Sequence, residues 1–341
     1  MRFLWRTDEP LWLKTVLLPL TAASWGYCAA GALRRPSLIR AKVPTISVGN
    51  VVAGGAGKTP VAMEIVRRLL ERGRKPAVLS RGYGRRGRGD LEVAATTPPD
   101  EAGDEPALFK ERLPRALVLV GPRRASLAAR AAAQGAEVIV LDDGLQHLAL
   151  ARDLDVVVMD ASNPLGNGKR LPRGPLRERP SSAFRRAGKR GLLWLTRCDL
   201  PRDLRTDSLV AAAREAGLGG PVESAYATSA PIRGEAAFLF AGIARPVSFE
   251  ALVRRAGASI VGSRWFPDHH RYSGGDLRAL RHAAAAQGAT RLLTTEKDLV
   301  RIPLGDREGR PPIEAVPIDL RILAGEEALV SALDLALGAG A

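Results

Sequence analysis

Short apolar runs alternate along the chain with segments of helical periodicity. Runs of the strand type lie at residues 45–48, 77–80, 116–120, 137–141 and 192–195, and helical patterns cover residues 60–72 and 124–134. Strands that alternate with helices are typical of a parallel sheet wound on both sides by helices. The pattern therefore predicts an α/β fold with a doubly wound parallel sheet.

The same kind of pattern starts again near the middle of the chain. Residues 219–234 are typical of a domain boundary, and they precede further elements, which are a strand at 236–241, a helix at 249–256 and a strand at 291–295. We therefore expect a first domain at residues 36–231 and a second, smaller α/β domain at residues 232–341.

A glycine-rich turn joins the first strand to the first helix. Its sequence is Gly54-Gly55-Ala56-Gly57-Lys58-Thr59. Glycines allow backbone N–H groups to turn toward a phosphate, lysine adds a positive charge near the β and γ oxygens, and threonine offers a hydroxyl to Mg²⁺. One position departs from the full P-loop pattern, because Val52 stands where the first glycine is expected. The loop predicts an NTPase-like nucleotide site, with ATP and Mg²⁺ as cofactors.

Two acidic residues end the strand at residues 137–141. Asp142 and Asp143 follow four apolar residues, which is the form of an element that holds Mg²⁺ near the γ-phosphate. Gly144, Gln146 and His147 follow directly, and a polar cluster at the carboxyl end of a parallel sheet is where such folds bind ligands. We expect Thr59, Asp142 and Asp143 to be the metal ligands.

The charge of the chain favours a phosphate-bearing partner. The formal net charge is +15, which attracts nucleic acid, anionic lipid headgroups and nucleotides alike. Aromatic residues make up only 5% of the chain and are not interleaved with a basic stretch, so nucleic acid is not expected as a partner. Cys28 and Cys198 cannot build a disulfide framework, which fits a reducing compartment.

An uncharged segment at residues 16–33 precedes both domains and is flanked by basic residues. Three interpretations stay open, namely a cleaved signal peptide, a membrane anchor and a buried helix of the first domain. The ATP site that follows argues against the signal peptide, because ATP is cytoplasmic. Hydropathy favours an N-terminal membrane-associated helix at residues 1–35.

Three further segments match no general motif. They lie at residues 103–106, 168–178 and 266–270. Taken separately, Asp104 is typical of a helix N-cap, the basic stretch is typical of a solvated loop, and His269 or His270 is typical of an ordinary surface or core histidine. The irregular, Pro-, Gly- and Arg-rich stretch at residues 163–190 is too long for an ordinary connection, so we expect it to be functional or mobile.

Taken together, the elements of this sequence resemble the tetraacyldisaccharide 4′-kinase family. The resemblance covers nearly the whole chain in one order, and it is carried by SVGN at 47–50, GAGKTP at 55–60, SRGYG at 80–84, GDEP at 103–106, LDDGLQH at 141–147, LPRGPLRE at 171–178, FPDHH at 266–270 and TEKD at 295–298. It implies an enzyme on the cytoplasmic face of the inner membrane, with two α/β domains joined by a hinge. That enzyme uses ATP to phosphorylate the 4′-hydroxyl of a tetraacylated disaccharide 1-phosphate, a glycolipid, and so makes lipid IVA in lipid A biosynthesis.

The resemblance also implies the catalytic residues. Asp104 is expected to pair with His269 as the base, and Lys58 to act on the phosphates of ATP. A carboxylate bonded to an imidazole fixes the tautomer of the ring and raises its basicity. Since Asp104 falls in the first predicted domain and His269 in the second, we expect catalysis to require closure of the hinge.

Basic and polar residues near these motifs are expected to contact the substrate. Guanidinium groups bind phosphate through two parallel hydrogen bonds, which makes the arginines of the 170–177 loop candidates for the anionic headgroup. The expected substrate residues are Asn50, Arg123, Gln146, His147, Arg170 and Arg177.

Two other classes of function compete with the lipid kinase. A P-loop ATPase switch that binds a protein or membrane partner predicts ATP turnover without a lipid acceptor. A nucleic-acid-binding NTPase predicts affinity that falls steeply with salt. Neither accounts for Asp104 and His269, and no feature of the sequence defines an oligomeric state.

Overall fold

The structure is a computed structural model that describes residues 19–21, 23, 24 and 37–338. Its strands are β1 (Thr45–Gly49), β2 (Pro76–Ser80), β3 (Leu91–Glu92), β4 (Leu117–Val120), β5 (Val138–Asp142), β6 (Leu154–Asp160), β7 (Gly191–Thr196), β8 (Gly219–Ala227), β9 (Ala236–Ala241), β10 (Ser259–Trp265), β11 (Arg291–Thr295), β12 (Ile313–Val316) and β13 (Asp319–Ala324). Its helices from residue 37 onward are α1 (Lys58–Glu71), α2 (Pro99–Ala102), α3 (Asp104–Arg112), α4 (Arg124–Ala133), α5 (Pro180–Ala187), α6 (Arg205–Glu215), α7 (Pro246–Arg255), α8 (Gly274–Ala286), α9 (Glu296–Val300), α10 (Leu304–Arg307) and α11 (Glu326–Leu337), with a short 3₁₀ turn at Gly188–Arg190.

The predicted N-terminal helix lies mostly outside the described residues. Residues 19–21, 23 and 24 are helical, and the rest of the segment 1–35, including Cys28, is not described. Within the described ranges, no helix combines the length and the apolar character needed to cross a bilayer.

The chain folds into two compact units whose boundaries differ from the predicted domains. Unit 2 comprises Arg81–Pro122 and Tyr226–Arg321, and unit 1 comprises the other described residues. The predicted domains 36–231 and 232–341 are therefore corrected, because residues 81–122 belong with the second unit and residues from 322 onward with the first.

Ion pairs between residues far apart in sequence lie within each of these units. Within unit 2, Arg112 of α3 pairs with Glu296 of α9 at 2.7 Å. Within unit 1, Arg72 at the end of α1 pairs with Asp334 of α11 at 2.7 Å. Contacts between residues so far apart leave no local pattern in the sequence. Domain boundaries predicted from adjacent segments therefore assign these regions to the wrong unit.

Unit 1 is built on a parallel sheet. Six of its strands lie in the order β8-β7-β6-β1-β5-β2, and each neighbouring pair is parallel. β1 and β5 are buried along their whole length. Since Val48 pairs with Asp142, the loops that follow β1 and β5 leave the same edge of the sheet, which is where α/β folds bind ligands. The predicted fold class is thus confirmed for this unit.

Unit 2 contains a four-stranded parallel sheet in the order β10-β9-β11-β12. Its central strand β9 shows why both faces are covered. Ala237 and Leu239 join one hydrophobic cluster with residues of α7, whereas Phe238 and Phe240 join a second cluster with residues of α8. This alternation is what a strand with helices on both faces requires.

Two irregular segments of the prediction prove more ordered than expected. The supposed boundary at residues 219–234 begins with β8, which pairs in parallel with β7. The division between the units falls inside that strand, after Ala225. The stretch at residues 163–190 contains α5, whose Ala183 and Phe184 are buried in a core cluster of unit 1.

Candidate active site

The glycine-rich loop between β1 and α1 has the backbone of a phosphate-binding turn. Gly54, Gly55 and Gly57 have φ values of 82°, 56° and 86°, a left-handed region that glycine enters without strain. Gly57 is the N-cap of α1, and no side chain caps the helix there. No side chain therefore caps the N-terminal end of α1 at the position where helices bind anions.

Val52, which departs from the P-loop pattern, has a structural role of its own. It forms an antiparallel bridge with Leu176, and both side chains are buried in the same core cluster. The N–H of Ala53 donates to the carbonyl of Pro175 at 2.7 Å, and the N–H of Arg177 donates to Val51 at 2.8 Å. An extended, buried residue suits a bridge better than glycine, because glycine adds chain entropy and no packing. Val52 and its neighbours thus attach the glycine-rich loop to the segment at residues 175–177.

Two cations converge on Asp143 beside this loop. Nη1 of Arg177 donates to both carboxylate oxygens at 2.8 and 2.9 Å, and Nζ of Lys58 lies 3.7 Å from Oδ1. Asp143 has a φ of 53°, which is uncommon for a residue that carries a side chain. The structure therefore brings together Lys58, Asp143 and Arg177, of which Arg177 had been expected at the lipid headgroup.

Polar residues behind Arg177 hold this cluster in place. Arg177 also donates to Oε1 of Gln146 at 3.1 Å, and Nε2 of Gln146 donates to the carbonyl of Asn50 at 2.8 Å and to Glu178 at 2.9 Å. Nη1 and Nη2 of Arg186 donate to the two carboxylate oxygens of Glu178. Gln146 thus joins the cluster, and its predicted contact with the substrate stays a prediction. Glu178 and Arg186 are supporting residues to which the sequence analysis gave no role.

Asn50 lies fully buried just before the loop. Its side-chain nitrogen and oxygen have no hydrogen-bond partner among the described residues. A buried amide in this condition is costly unless water or a ligand satisfies it. This position fits the predicted contact with a ligand.

The predicted metal ligands lie at the end of β5 and the start of α1. Asp142 and the hydroxyl-bearing Thr59 are both buried. No group of three or more His, Cys, Asp and Glu side chains in the described part of the chain is placed to hold a metal ion. Mg²⁺ needs no such group, since it is bound by one or two carboxylates together with water and phosphate oxygens. These hard oxygen donors fit Mg²⁺ bound with a nucleotide.

A basic cavity of about 480 Å³ lies in unit 1. Its walls carry Lys169, Arg170, Arg173 and Arg179, with Thr21 and Ser24 from the N-terminal helical residues. The hydroxyl of Ser24 donates to the carbonyl of Arg170 at 3.1 Å. No acidic side chain lines this cavity among the described residues, so its chemistry suits an anion.

Two predicted substrate residues have no described contact with either site. Arg123 is exposed at the start of α4, where its carbonyl accepts hydrogen bonds from Ser126 and Leu127. The backbone of His147 donates to the carbonyl of Gly144 at 2.8 Å and accepts from Arg152 at 3.0 Å. Their substrate roles stay predictions.

In unit 2, Asp104 and His269 form a hydrogen-bonded pair. Nδ1 of His269 lies 3.0 Å from Oδ2 of Asp104, and Nε of Arg301 donates to the same oxygen at 2.8 Å. All three residues belong to one compact unit, so the expected hinge closure is not needed to form the pair. His270 instead lies 3.3 Å from Asp276, the acidic residue of the capping box of α8.

The surroundings of Asp104 keep it ionised. Burial raises the pKa of this carboxyl, but the hydrogen bond from His269 and the charge and hydrogen bond of Arg301 outweigh burial and hold the pKa below its ordinary value. An ionised Asp104 accepts a proton-bearing Nδ1, which leaves Nε2 of His269 to accept a proton from another group.

The loop around Tyr83 packs closely against the start of α3. A Cβ on Gly103 would lie 3.1 Å from Cα of Gly82, so this approach requires glycine. The ring of Tyr83 is exposed, and its centroid lies 5.6 Å from that of His269. Tyr83 and Arg301 are thus neighbours of His269 to which the sequence analysis gave no role.

Known proteins resemble this chain over most of its length. The sequence model of the family described as tetraacyldisaccharide-1-P 4′-kinase matches residues 13–338. A tetraacyldisaccharide 4′-kinase of Anaeromyxobacter sp. (strain Fw109-5) is 47% identical over 97% of this chain and 94% of its own length. Another from Anaeromyxobacter sp. (strain K) is 45% identical over 94% of this chain and 91% of its own.

The fold has a counterpart among solved structures. The crystal structure of the "apo" form of LpxK from Aquifex aeolicus in complex with ATP superposes with a TM-score of 0.67, covering 95% of this chain and 99% of that one. The two sequences are 23% identical, so this likeness concerns the fold.

Proposed function

Because the chain belongs to the tetraacyldisaccharide-1-P 4′-kinase family, we propose that it transfers the γ-phosphate of ATP to the 4′-hydroxyl of a tetraacyldisaccharide 1-phosphate. The product is lipid IVA, an intermediate of lipid A biosynthesis. The observation that carries the proposal is the combination of the family match with Lys58, Asp143 and Arg177 gathered beside a phosphate loop.

The nucleotide site is proposed to lie at the glycine-rich loop of unit 1. The loop amides and the start of α1 bind the phosphates, and Lys58 exchanges its contact with Asp143 for phosphate oxygens. Arg177 is close enough to Asp143 to act in the same place, so we assign it to the nucleotide rather than to the headgroup. Thr59, Asp142 and Asp143 would hold Mg²⁺, which when bound neutralises charge on the transferred phosphate.

The acid–base step is proposed to use Asp104 and His269. Nδ1–H of His269 donates to Asp104, and Nε2 accepts the proton of the 4′-hydroxyl as that oxygen bonds to the γ-phosphorus. The bond from the γ-phosphorus to the bridging oxygen breaks, and ADP leaves. The left-handed backbone of His269, with a φ of 60°, is typical of a residue whose orientation serves a function.

The basic cavity is proposed to bind the anionic headgroup of the acceptor. Arg170 was expected there, and Lys169, Arg173 and Arg179 join it on the cavity wall. A lipid acceptor and cytoplasmic ATP support the proposal that the reaction takes place at the cytoplasmic face of the inner membrane.

Phosphate transfer from γ-labelled ATP to a tetraacyldisaccharide 1-phosphate in detergent tests the proposal. We expect labelled lipid with the intact protein and a collapse of labelling in Lys58→Ala and His269→Ala. ATP hydrolysis by the intact protein without labelled lipid would contradict the kinase and support an ATPase switch.

A further inference from the structure

Arg301 occupies the centre of the polar network in unit 2. Its Nε donates to Oδ2 of Asp104 at 2.8 Å, and its Nη2 lies 2.7 Å from the same oxygen. Nη2 also lies 3.2 Å from Nδ1 of His269. One guanidinium thus contacts both members of the proposed catalytic pair.

The opposite edge of the guanidinium is fixed to the backbone that carries His269. Nη1 of Arg301 donates to the carbonyl of Gly242 at 3.2 Å, and that carbonyl also accepts the N–H of His269 at 3.0 Å. Gly242 has little room for a side chain, since a Cβ there would lie 2.9 Å from the carbonyl oxygen of Pro267. The backbone of His269 and the side chain of Arg301 therefore share one rigid anchor.

Asp298 fixes this anchor from within the core. It is fully buried, and its Oδ1 accepts from Nη1 of Arg301 at 3.1 Å, from the N–H of Gly242 at 2.9 Å and from the hydroxyl of Tyr272 at 2.9 Å. Its Oδ2 accepts from the hydroxyl of Thr295 at 2.6 Å. A buried charge is tolerated only with such a set of partners, and the set leaves Arg301 a single position.

This network gives a role to the segment TEKD at residues 295–298, which the family resemblance contained without a function. We propose that Arg301, held by Asp298, is a positioning residue that turns the carboxylate of Asp104 toward His269 and thereby fixes which imidazole nitrogen carries the proton. Arginine offers only donors, and Nη2 lies closer to Oδ2 of Asp104 (2.7 Å) than to Nδ1 of His269 (3.2 Å). The carboxylate is then the acceptor that faces Nδ1 at 3.0 Å, so Nδ1 carries the proton and donates it to Asp104. Nε2 lies 4.0 Å from Oδ1 of Asp268, beyond hydrogen-bond distance, and is then the nitrogen that accepts from the acceptor hydroxyl. The inference rests on the proposed function and extends it.

The test compares Arg301→Gln with Arg112→Gln in the full chain. Arg112 joins α3 to α9 through Glu296, the same two helices that Arg301 connects through Asp104, but it does not touch the catalytic pair. We measure kcat and both KM values for labelled transfer, and the tautomer of His269 by ¹⁵N spectroscopy of the four histidines. Loss of an outer residue that orients a reactive group costs about 10- to 100-fold in activity.

We expect Arg301→Gln to lower kcat by that amount with both KM values unchanged and to weaken the Nδ1–H signature of His269. Arg301→Lys is expected to recover part of kcat, because lysine keeps the charge and loses the planar fork. Arg112→Gln should keep kcat and the tautomer. An equal loss of kcat in Arg112→Gln would overturn the inference, because Arg301 would then be only a clamp between the helices.

An unchanged kcat and tautomer in Arg301→Gln would overturn it as well. Should that variant not fold, Tyr272→Phe removes one donor from Asp298 while leaving Arg301 in place. We expect kcat and the Nδ1–H signature of His269 to shift in the same direction as in Arg301→Gln. No shift in either would reject the inference. Failure of the intact protein to label lipid rejects the proposed function instead, and the tautomer comparison still decides whether Arg301 positions His269.

Discussion

The two units each surround a carboxylate with cations, but they do so in different ways. In unit 1, Asp143 binds Arg177 and Lys58, and the side chains of Asp143 and Arg177 are 33% and 24% exposed. In unit 2, Asp104 binds Arg301, whose side chain is only 6% exposed. Under the proposed function the cations of unit 1 change partners when a ligand binds, whereas the cation of unit 2 is held by the buried Asp298.

This difference matches the chemistry proposed for each cluster. A phosphate site must release its carboxylate contacts so that Lys58 and Arg177 can bind an anion that carries more charge. A general base must instead keep one orientation and one tautomer through every turnover. Asp143 and His269 both adopt a left-handed backbone, which costs on the order of 1 kcal/mol for a residue with a side chain.

The largest expected effect concerns the exchangeable cluster. Lys58→Ala removes the charge that stabilises the transferred phosphate, and we expect kcat for lipid labelling to fall by about 1,000-fold, as when one preorganised stabilising group is lost. Lys42→Ala, which removes an exposed lysine of the same unit, is the matched control and should keep kcat. A small effect of Lys58→Ala would mean that the phosphate loop does not bind the reacting phosphate.

The next effect tests whether Asp104 and His269 act as one group. Each of Asp104→Asn and His269→Asn is expected to lower kcat by about 100-fold, which is within the range for a general base. Because the two residues serve one proton transfer, the double variant should lose little more than the worse single variant. Fully additive losses would contradict the pair.

His270→Asn is the control for this prediction. His270 stacks on Phe266 with ring centroids 4.5 Å apart and faces Asp276 rather than Asp104. We expect kcat to stay close to that of the intact protein. An equal loss of kcat in His269→Asn and His270→Asn would contradict the assignment of His269 alone to the catalytic pair.

The cluster of unit 1 was largely accessible from the sequence, and that of unit 2 was not. The phosphate loop lies within a few residues of an apolar strand and a periodic helix, and Asp142 and Asp143 end another such strand, so local pattern sufficed. β6 carried an equally clear apolar run and was overlooked. The pair of Asp104 and His269 came only from family resemblance, because 165 positions separate them.

Arg301 shows the limit of local pattern most clearly. It lies among ordinary helix residues, and its contact with Asp104 spans 197 positions. Residues 81–122 likewise belong to unit 2 through contacts with residues far away in sequence, which boundaries predicted from adjacent segments could not include. The Val52 departure, by contrast, is explained by a bridge to Leu176, which no P-loop pattern encodes.

A moderate effect is expected at the basic cavity. Arg170→Gln and Arg179→Gln each remove one charge from its wall, and we expect KM for the acceptor lipid to rise about 10-fold while KM for ATP stays the same, since a hydrogen bond to a charged group contributes about 1.5–3 kcal/mol. Arg74→Gln, an exposed arginine of unit 1, is the control. A rise in KM for ATP alone would assign the cavity to the nucleotide instead.

The smallest expected effect is on the pH dependence of stability. It tests whether the charge of Asp104, the fixed carboxylate of unit 2, stabilises the fold. Burial raises the pKa of Asp104, but His269 and Arg301 outweigh it, so the folded pKa lies below the unfolded value of 3.8. A depressed pKa means that the pairing stabilises the fold above the unfolded value, and that this stability is lost as pH falls through the folded value. The free energy of unfolding of the intact protein should therefore exceed that of Asp104→Asn above about pH 4, and the difference between the two should narrow at lower pH.

Urea unfolding of both proteins between pH 7 and pH 3 measures this gap. Asp100→Asn is the control, because Asp100 and its partner Arg86 form an exposed ion pair that contributes little. A difference in the free energy of unfolding that stays unchanged below pH 3.8 would show that the charge of Asp104 does not hold its side chain in place. Asp104 would then be fixed by packing alone, and Arg301 would lose its basis as the residue that orients the pair.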